Sequence, residues 1–558
     1  MWMSNLPPFI PFFLAALVVG FLPQRWRQIL TLILPLWGGL NLWFGFEAGT
    51  TVTYKLLEFE LTLLRVDQLS LLFGYLFHIA AFIGMVYALN VKDTLQQVSS
   101  LLYVGSGLGA VFAGDLITLF IFWECLAVTS VFLIWARRTK VAINAGIRYL
   151  IIQVVSGVLL LAGALMHYVD TGSLAFEYIG LGTTASWLIF LAFGIKCAFP
   201  LLHNWLTDAY PEATPSGTVF LSAFTTKVAV YGLARSYPGT ELLIYIGATM
   251  TCFPIFYAVI ENDLRRVLAY SLINQLGFMV TGVGIGTALA LNGAVAHAFT
   301  DVIFKGLLFM TMGSVLFRVG HVYGSNLGGL YKTMPKTATL CIVGAASISA
   351  FPLFSAFVSK TMVMAAAIEE GYNYIWLALL FASAGVFHHA GIKIPYFAFF
   401  HHDSGIRTQE PPLNMMIAMA IGAALCLLIG MQPQLLYSLL PWEVNYWPFD
   451  LTHVLAQLQL LFFSALAFVW LNKRGLYPPE LHSVNIDAEW IYRKALPAVA
   501  FAIRNMAASM VTIASKQMDA LMGLIPGQTN HVNWQTSHLA ERLMISLVVF
   551  ILIGVWIS

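Results

Sequence analysis

A chain of 558 residues that is 59% apolar and only 10% charged does not read as a soluble domain, where roughly a quarter of residues carry charge. Its mean hydropathy of +0.81 leaves one class, a polytopic helical membrane protein. A net charge of +2 gives nucleic acid no handle, so no nucleic-acid partner is expected. Cys125, Cys197, Cys252, Cys341 and Cys426 stand singly, without CxxC or metal-ligand spacing, so neither a disulfide framework nor a metal or iron–sulfur site is indicated. No glycine-rich phosphate loop occurs, and no cofactor is expected.

In chain order, the start MWMSNLPPFIPFFLAALVVG lacks a basic n-region and a clear cleavage site, and reads as a first helix. Apolar runs predict spans near 5–22, 29–46, 67–89, 97–113, 115–136, 142–168, 184–207, 213–235, 241–260, 266–288, 290–317, 337–367, 373–400, 412–431, 452–471 and 541–557. The expected organisation is N-terminal helices over 1–96, two repeats over 97–240 and 241–405, and C-terminal helices over 406–474. A polar, amphipathic segment follows over 475–540, then a last span over 541–558. A further span around 495–515 is the alternative for that segment.

Loop charge supports the count. Arg25 and Arg27, Lys92, Arg137 with Arg138 and Lys140, Arg265 and Arg266, Lys332 and Lys336, and Lys473 with Arg474 all fall on one side. Glu58, Glu60, Asp170, Glu177, Glu241, Glu369, Glu370, Glu443 and Asp450 fall on the other. The positive-inside rule makes the basic side cytoplasmic and puts the N-terminus outside. Asp208 and Glu212 break the pattern, and Arg265 and Arg266 read as interface anchors.

Ionisable residues inside apolar runs are costly and mark function by default. Glu124, in FIFWECLAV, is an acid in an apolar helix, a proton carrier or the partner of a buried lysine. Lys196 and Lys227 are buried bases; an approach of Glu124 to Lys196 would hold the charged pair, and separation would release a proton toward Lys227. His297, Asp301 and Lys305 recur every four residues and share one helix face. Asp301 and Lys305 are expected to pair and order water. The alternative gives Asp301 to a hard cation such as sodium, with Ser222, Thr225 and Thr226 as further oxygens. Lys360 and Lys393 repeat the theme, Lys393 with snorkelling to the surface as its alternative. His388 and His389 are ambiguous, the pair His401 and His402 lacks further metal ligands, and Ser271, Asn274 and Gln275 read as packing groups. PLLHNWLTD (200–208) and PLFSAFVSK (352–360) form a weak repeat, with Pro200 and Pro352 breaking their helices. Paired interruptions of this kind point to inverted repeats with sites near the midplane.

Several of these phrases together are specific: Trp123-Glu124, Lys196 with PLLHNWLTDAYPEATPSG, Lys227, DLRRVLAYSLINQLGF, His297 with KGLLF, and LGGLYKTMP followed by SISAFPLFSAFVSK. Over roughly 65–400 the chain resembles the proton-translocating antiporter-like family, which includes complex I and hydrogenase membrane subunits and the A and D subunits of Mrp antiporters. SAFTTKVAVYGLAR and GIKIPYFAFF are most similar to the D type. The resemblance implies an all-α fold of about fourteen core transmembrane helices in two inverted five-helix repeats, plus a C-terminal extension similar to a lateral helix. It implies Glu124 and Lys196 as a coupling pair, Lys227 as central lysine and Lys360 as terminal charge. Asp301 stands where many members carry a second histidine. The implied function is proton translocation in a multisubunit complex of the bacterial inner membrane, exchanging protons for sodium with other membrane subunits. A proton-pumping module of a redox complex, or a proton-flux partner of a soluble protein that captures inorganic carbon, is the alternative. The chain is not expected to be an enzyme itself.

Overall fold

The computed structural model describes residues 6–522 apart from 57–58 and 483–484. The span expected at 541–557 and the end of the amphipathic segment lie outside the described residues. Two units are present, 1–488 and 489–558. The first therefore keeps residues 475–488, which by sequence belong to the amphipathic segment.

Among the described residues, twelve helices are long and apolar enough to cross a membrane by length and composition. Three shorter apolar helices, Ile10–Val19, Thr184–Lys196 and Pro335–Ile348, accompany them. Among the described residues the protein is predominantly helical, with the architecture of an integral membrane protein. Its helix starts are written locally. Asp67, Asp93, Asp115, Thr139, Thr183, Asp263 and Thr287 each accept a hydrogen bond from the first-turn backbone, which satisfies an N–H that has no partner within the helix. Gly172, Gly286 and Gly320 end helices in the left-handed conformation.

Residues 51–65 depart from the all-helical reading. TVTYKL and FELTLLR alternate β-branched, aromatic and polar residues, and form an antiparallel hairpin paired from Thr51↔Arg65 to Leu56↔Phe59. Asp115 fastens it by accepting from Thr62 N at 2.7 Å, while Gly114 N donates to Thr62 O at 2.9 Å.

The internal repeat extends far beyond the Pro200/Pro352 match. Asp115 bridges Ala175, and Asp263 bridges Tyr323, each binding the cap of a repeat's second helix to the stretch after its third. The third helices, Lys140–Thr171 and Ala288–Val319, both have 32 residues, a threonine cap in front and a left-handed glycine behind. The fourth helices are broken alike. Ala198 and Leu201 have φ of 61° and 70°, and Ala350 and Leu353 have 55° and 73°.

Several expected single spans are interrupted. The 184–207 run is Thr184–Lys196 and Asn204–Ala209, 213–235 is Pro215–Ala223 and Thr225–Ser236, and 337–367 is Pro335–Ile348 and Ser355–Glu369. The 373–400 run carries two π-helical turns, Phe387–Ile392 and Tyr396–Phe400. The acidic exceptions on the basic face are neutralised there. Asp208 receives a two-pronged contact from Arg148 at 2.6 and 2.8 Å, and Glu212 pairs with Arg137 at 3.1 Å. Arg265 is buried rather than an anchor. Its guanidinium donates to the Pro211 and Ala213 carbonyls and to the Thr218 hydroxyl, holding the end of the first broken helix.

In the second unit, a π turn Ile491–Ala495 leads into helix Leu496–Met522. The stretch Ile491–Gln517 is long and apolar enough to cross a membrane by length and composition, which keeps the span alternative at 495–515 open.

Candidate functional site

An interrupted helix leaves carbonyls without their N–H partners, and in an apolar surrounding each must be satisfied by another donor. At two breaks in this chain a lysine is such a donor, and a third lysine bonds a neighbouring continuous helix. Lys196 Nζ donates to the carbonyl of Trp123 and lies 4.5 Å over that indole. Lys227 Nζ donates to Ser222 O at 3.2 Å, across the break at Phe224. Lys360 Nζ donates at 2.8 Å to Ile348 O, the last carbonyl before the second proline break, and lies 5.0 Å over the Phe278 ring. All three are buried. The sequence puts them beside broken helices; the breaks supply the acceptors of Lys227 and Lys360, whereas Lys196 reaches across to the continuous helix Leu116–Trp135.

The first repeat contributes a carboxylate, Glu124. Trp123 Nε1 donates to Ser156 Oγ at 2.9 Å, and Ser156 donates to Ala192 O at 2.8 Å, which fixes three helices around the Lys196 site. Glu124 is half-buried, with Oε1 lacking a hydrogen-bond partner among the described residues. Its carboxylate presses on Gly157 so closely that an added Cβ would lie 1.5 Å from Oε1. No ion pair joins Glu124 to Lys196 among the described residues.

The central pairing differs from the sequence expectation. Asp301 pairs with Lys227 at 2.6 Å, both side chains fully buried. No hydrogen bond beyond that ion pair reaches either Asp301 oxygen among the described residues. Lys305 contacts Leu268 O at 3.5 Å instead. Helical spacing puts Asp301 and Lys305 on one face, but the lysine of a neighbouring helix reaches the carboxylate first. None of the three groups considered for a cation hydrogen-bonds Asp301 among the described residues: Ser222 Oγ donates to Val219 O at 2.8 Å, Thr225 Oγ1 is 2.6 Å from Tyr103 Oη, and Thr226 Oγ1 has no hydrogen-bond partner there.

Between Lys227 and Lys360 lies a hydrogen-bonded polar row. His297 Nδ1 is 2.9 Å from Ser359 Oγ, and its Nε2 is 3.1 Å from Gln275 Oε1. Gln275 donates to Asn274 Oδ1 at 2.6 Å, and Thr300 Oγ1 is 2.9 Å from Ser359 Oγ. Asn274 and Gln275, which by sequence read as packing groups, therefore belong to the row. Their signal is a polar pair within a span, which needs partners. Lys393 does not snorkel: it is fully buried, donates to Val259 O at 2.6 Å and Glu261 O at 2.7 Å, and pairs with Glu480 at 2.9 Å. Glu480 escapes sequence reading because a carboxylate in a polar stretch looks like surface. On the opposite face Asp67 pairs with Arg235 at 2.8 Å, another contact that spacing does not suggest. No three His, Cys, Asp or Glu converge as a metal cluster among the described residues.

Residues 113–387, the stretch that holds Glu124, Lys196, Lys227, His297, Asp301, Lys305 and Lys360, match the family described as NADH:quinone oxidoreductase/Mrp antiporter, TM. Over that stretch, just under half of its length, the chain matches this antiporter-like family. It is 27% identical over 445 residues to hydrogenase-4 component B of Escherichia coli, covering 69% of this chain and 65% of that protein. It is 30% identical over 490 residues to the A component of the Na(+)/H(+) antiporter of Alkalihalophilus pseudofirmus, covering 76% and 60%. The D component from the same organism is 29% identical over 356 residues, covering 59% of this chain and 72% of that protein. The chain thus spans less than two thirds of the length of the first two. Among solved structures, a membrane-bound sulfane sulfur reductase, an archaeal respiratory membrane complex, matches with a TM-score of 0.73, 21% identity and coverage of 99% and 100%. A Mrp complex from Dietzia sp. matches at 0.69, with 20% identity and coverage of 84% and 99%. These last two likenesses establish the antiporter-like fold.

Proposed function

We propose that this chain is the ion-translocating component of a multisubunit membrane complex, moving protons along the buried row and exchanging them for sodium with partner subunits. The single observation that carries the reading is the Lys227–Asp301 pair, fully buried in a helical membrane protein and flanked by two further buried lysines, Lys196 on the Trp123 carbonyl and Lys360 on the carbonyl that ends a broken helix. Burying charge costs several kcal/mol per ion in order of magnitude, and a purely structural core gains nothing from it. In this reading Glu124 and Lys196 form the coupling pair. Lys227 and Asp301 form the centre, His297, Gln275 and Ser359 relay protons, and Lys360 is the terminal base. Lys305 and Lys393 extend the row. The chain is not itself an enzyme, the basic loops face the cytoplasm, the N-terminus faces out, and the membrane is the bacterial inner one.

A second reading, a proton-pumping module of a redox complex, is favoured by one observation of architecture: the likeness to the archaeal respiratory complex extends over 99% of the chain.

The test is proton flux in vesicles holding the chain with its co-purifying subunits. Glu124→Ala and Lys196→Ala should each abolish flux while the complex still assembles; wild-type rates in both would overturn the reading. Sodium dependence that persists unchanged in Asp301→His, with flux retained, would remove Asp301 from the sodium path and leave it in the proton relay.

A further inference from the structure

Glu480 follows the last long helix of the first unit, Leu451–Lys473, yet its side chain is only 5% exposed. Its Oε1 lies 2.9 Å from Lys393 Nζ. Four residues before Lys393, on the same continuous helical run, His389 is fully buried. Its ring turns toward the Gly385 carbonyl of its own helix, and no side chain hydrogen-bonds it among the described residues. His389 is close enough to Lys305 for their charges to interact. A salt bridge that merely held the chain down would not need a buried imidazole one helical turn behind it. Glu480, Lys393, His389 and Lys305 thus run from the basic-loop face into the row.

We propose that Glu480 is a proton-loading carboxylate that supplies the row from the basic-loop face through Lys393 and His389 to Lys305. The inference rests on the proton-translocating reading above. Each step moves one proton between heteroatoms. The Lys393 ammonium gives an N–H proton to the His389 imidazole. The Glu480 carboxyl, protonated from water, returns a proton to the Lys393 amine. The His389 imidazolium then passes its proton to neutral Lys305. No electrons and no heavy atoms change hands. Burial pushes the Glu480 carboxyl up from its ordinary value against the pull of Lys393, toward the range where it can exchange protons. The other ionisable groups facing this pair are Glu261, Tyr477 and His388.

A neighbouring contact supplies the control. Asp487 is held by Tyr270 at 2.7 Å and by His203 at 3.1 Å, a clasp of the same part of the chain that lies off this line. If Glu480 were only a second clasp, neutralising either acid would act alike.

The experiment compares Glu480→Gln, Glu480→Asp and Asp487→Asn in the full chain with its co-purifying subunits, in vesicles. The amide oxygen of Glu480→Gln still accepts from Lys393, so docking persists. Flux should fall about tenfold or more in Glu480→Gln, recover in part in Glu480→Asp, and stay close to wild type in Asp487→Asn. A pH-jump infrared difference spectrum should show a carboxyl band that Glu480→Gln lacks. Wild-type flux in Glu480→Gln, equal losses in Glu480→Gln and Asp487→Asn, or no Glu480-dependent band would overturn the proposal. Absence of flux in the wild-type complex would instead bring down the functional reading, and this inference with it.

Discussion

The two repeats share a frame but place charge on different helices at matching positions. At the eighteenth of 32 positions, the third helix of the first repeat has Gly157 and that of the second has Lys305. Nine residues after the aspartate cap, the second helix of the first repeat has Glu124 and that of the second has Leu272. The first repeat therefore sets an anion against a bare glycine backbone. The second carries a cation on the third helix and an apolar residue on the second. A sequence can keep a backbone repeat while changing which helix bears the charge, because caps and breaks are set by backbone hydrogen bonding and leave these side-chain positions free. The trade makes the two halves electrically unequal, and it leaves Lys227 of one half to find Asp301 of the other.

The largest effect should come from breaking that contact between the halves. Lys227→Ala leaves Asp301 buried without a partner, and should destabilise the protein by about 3–5 kcal/mol. Thermal unfolding of the detergent-solubilised complex checks this. The double variant Lys227→Ala/Asp301→Ala should recover much of the loss, while vesicle flux stays abolished in both. A loss as large in the double variant as in the single would show that the pair is not what the single variant breaks.

Gly157 sharpens the comparison. Gly157→Ala forces the Glu124 carboxylate to move, since the new Cβ would overlap Oε1. The expected result is a loss of flux of about tenfold or more with near-normal assembly, as the flexible end of one side chain gives way rather than backbone. Normal flux would mean that the position of Glu124 against Gly157 is incidental.

The smallest effect tests the paired breaks. Ala198 and Ala350 hold left-handed backbone at matching places, which costs a non-glycine residue roughly 1–2 kcal/mol. Ala198→Gly and Ala350→Gly should each raise stability slightly, by about 0.5–1 kcal/mol after the greater chain entropy of glycine is set against it. A rise in Tm for both, of similar size, would mark the two breaks as equivalent; a fall in one alone would separate them.

Much of the frame is legible without coordinates. Apolar runs long enough to cross a bilayer, aspartate and threonine caps, and prolines inside two runs are local signals, set by backbone hydrogen bonding within a few residues. The same holds for the cost of a charge in an apolar helix, which singles out Glu124, Lys196, Lys227, Asp301 and Lys360. The 51–65 hairpin is equally local in its alternation, but it is masked by a chain that is helical nearly everywhere else.

What only the tertiary structure decided is which charge meets which. Helical spacing brings Asp301 and Lys305 to one face, yet it says nothing of a lysine arriving from another helix, and Lys227 takes the carboxylate. Lys393 could have snorkelled; Glu480, more than eighty residues further on, keeps it buried. Asn274 and Gln275 become part of the row only once His297 is placed beside them. The physical reason is common to all three. The need of a buried polar group for a partner is written in its own residue type and surroundings, whereas the identity of the partner depends on distances that folding alone sets.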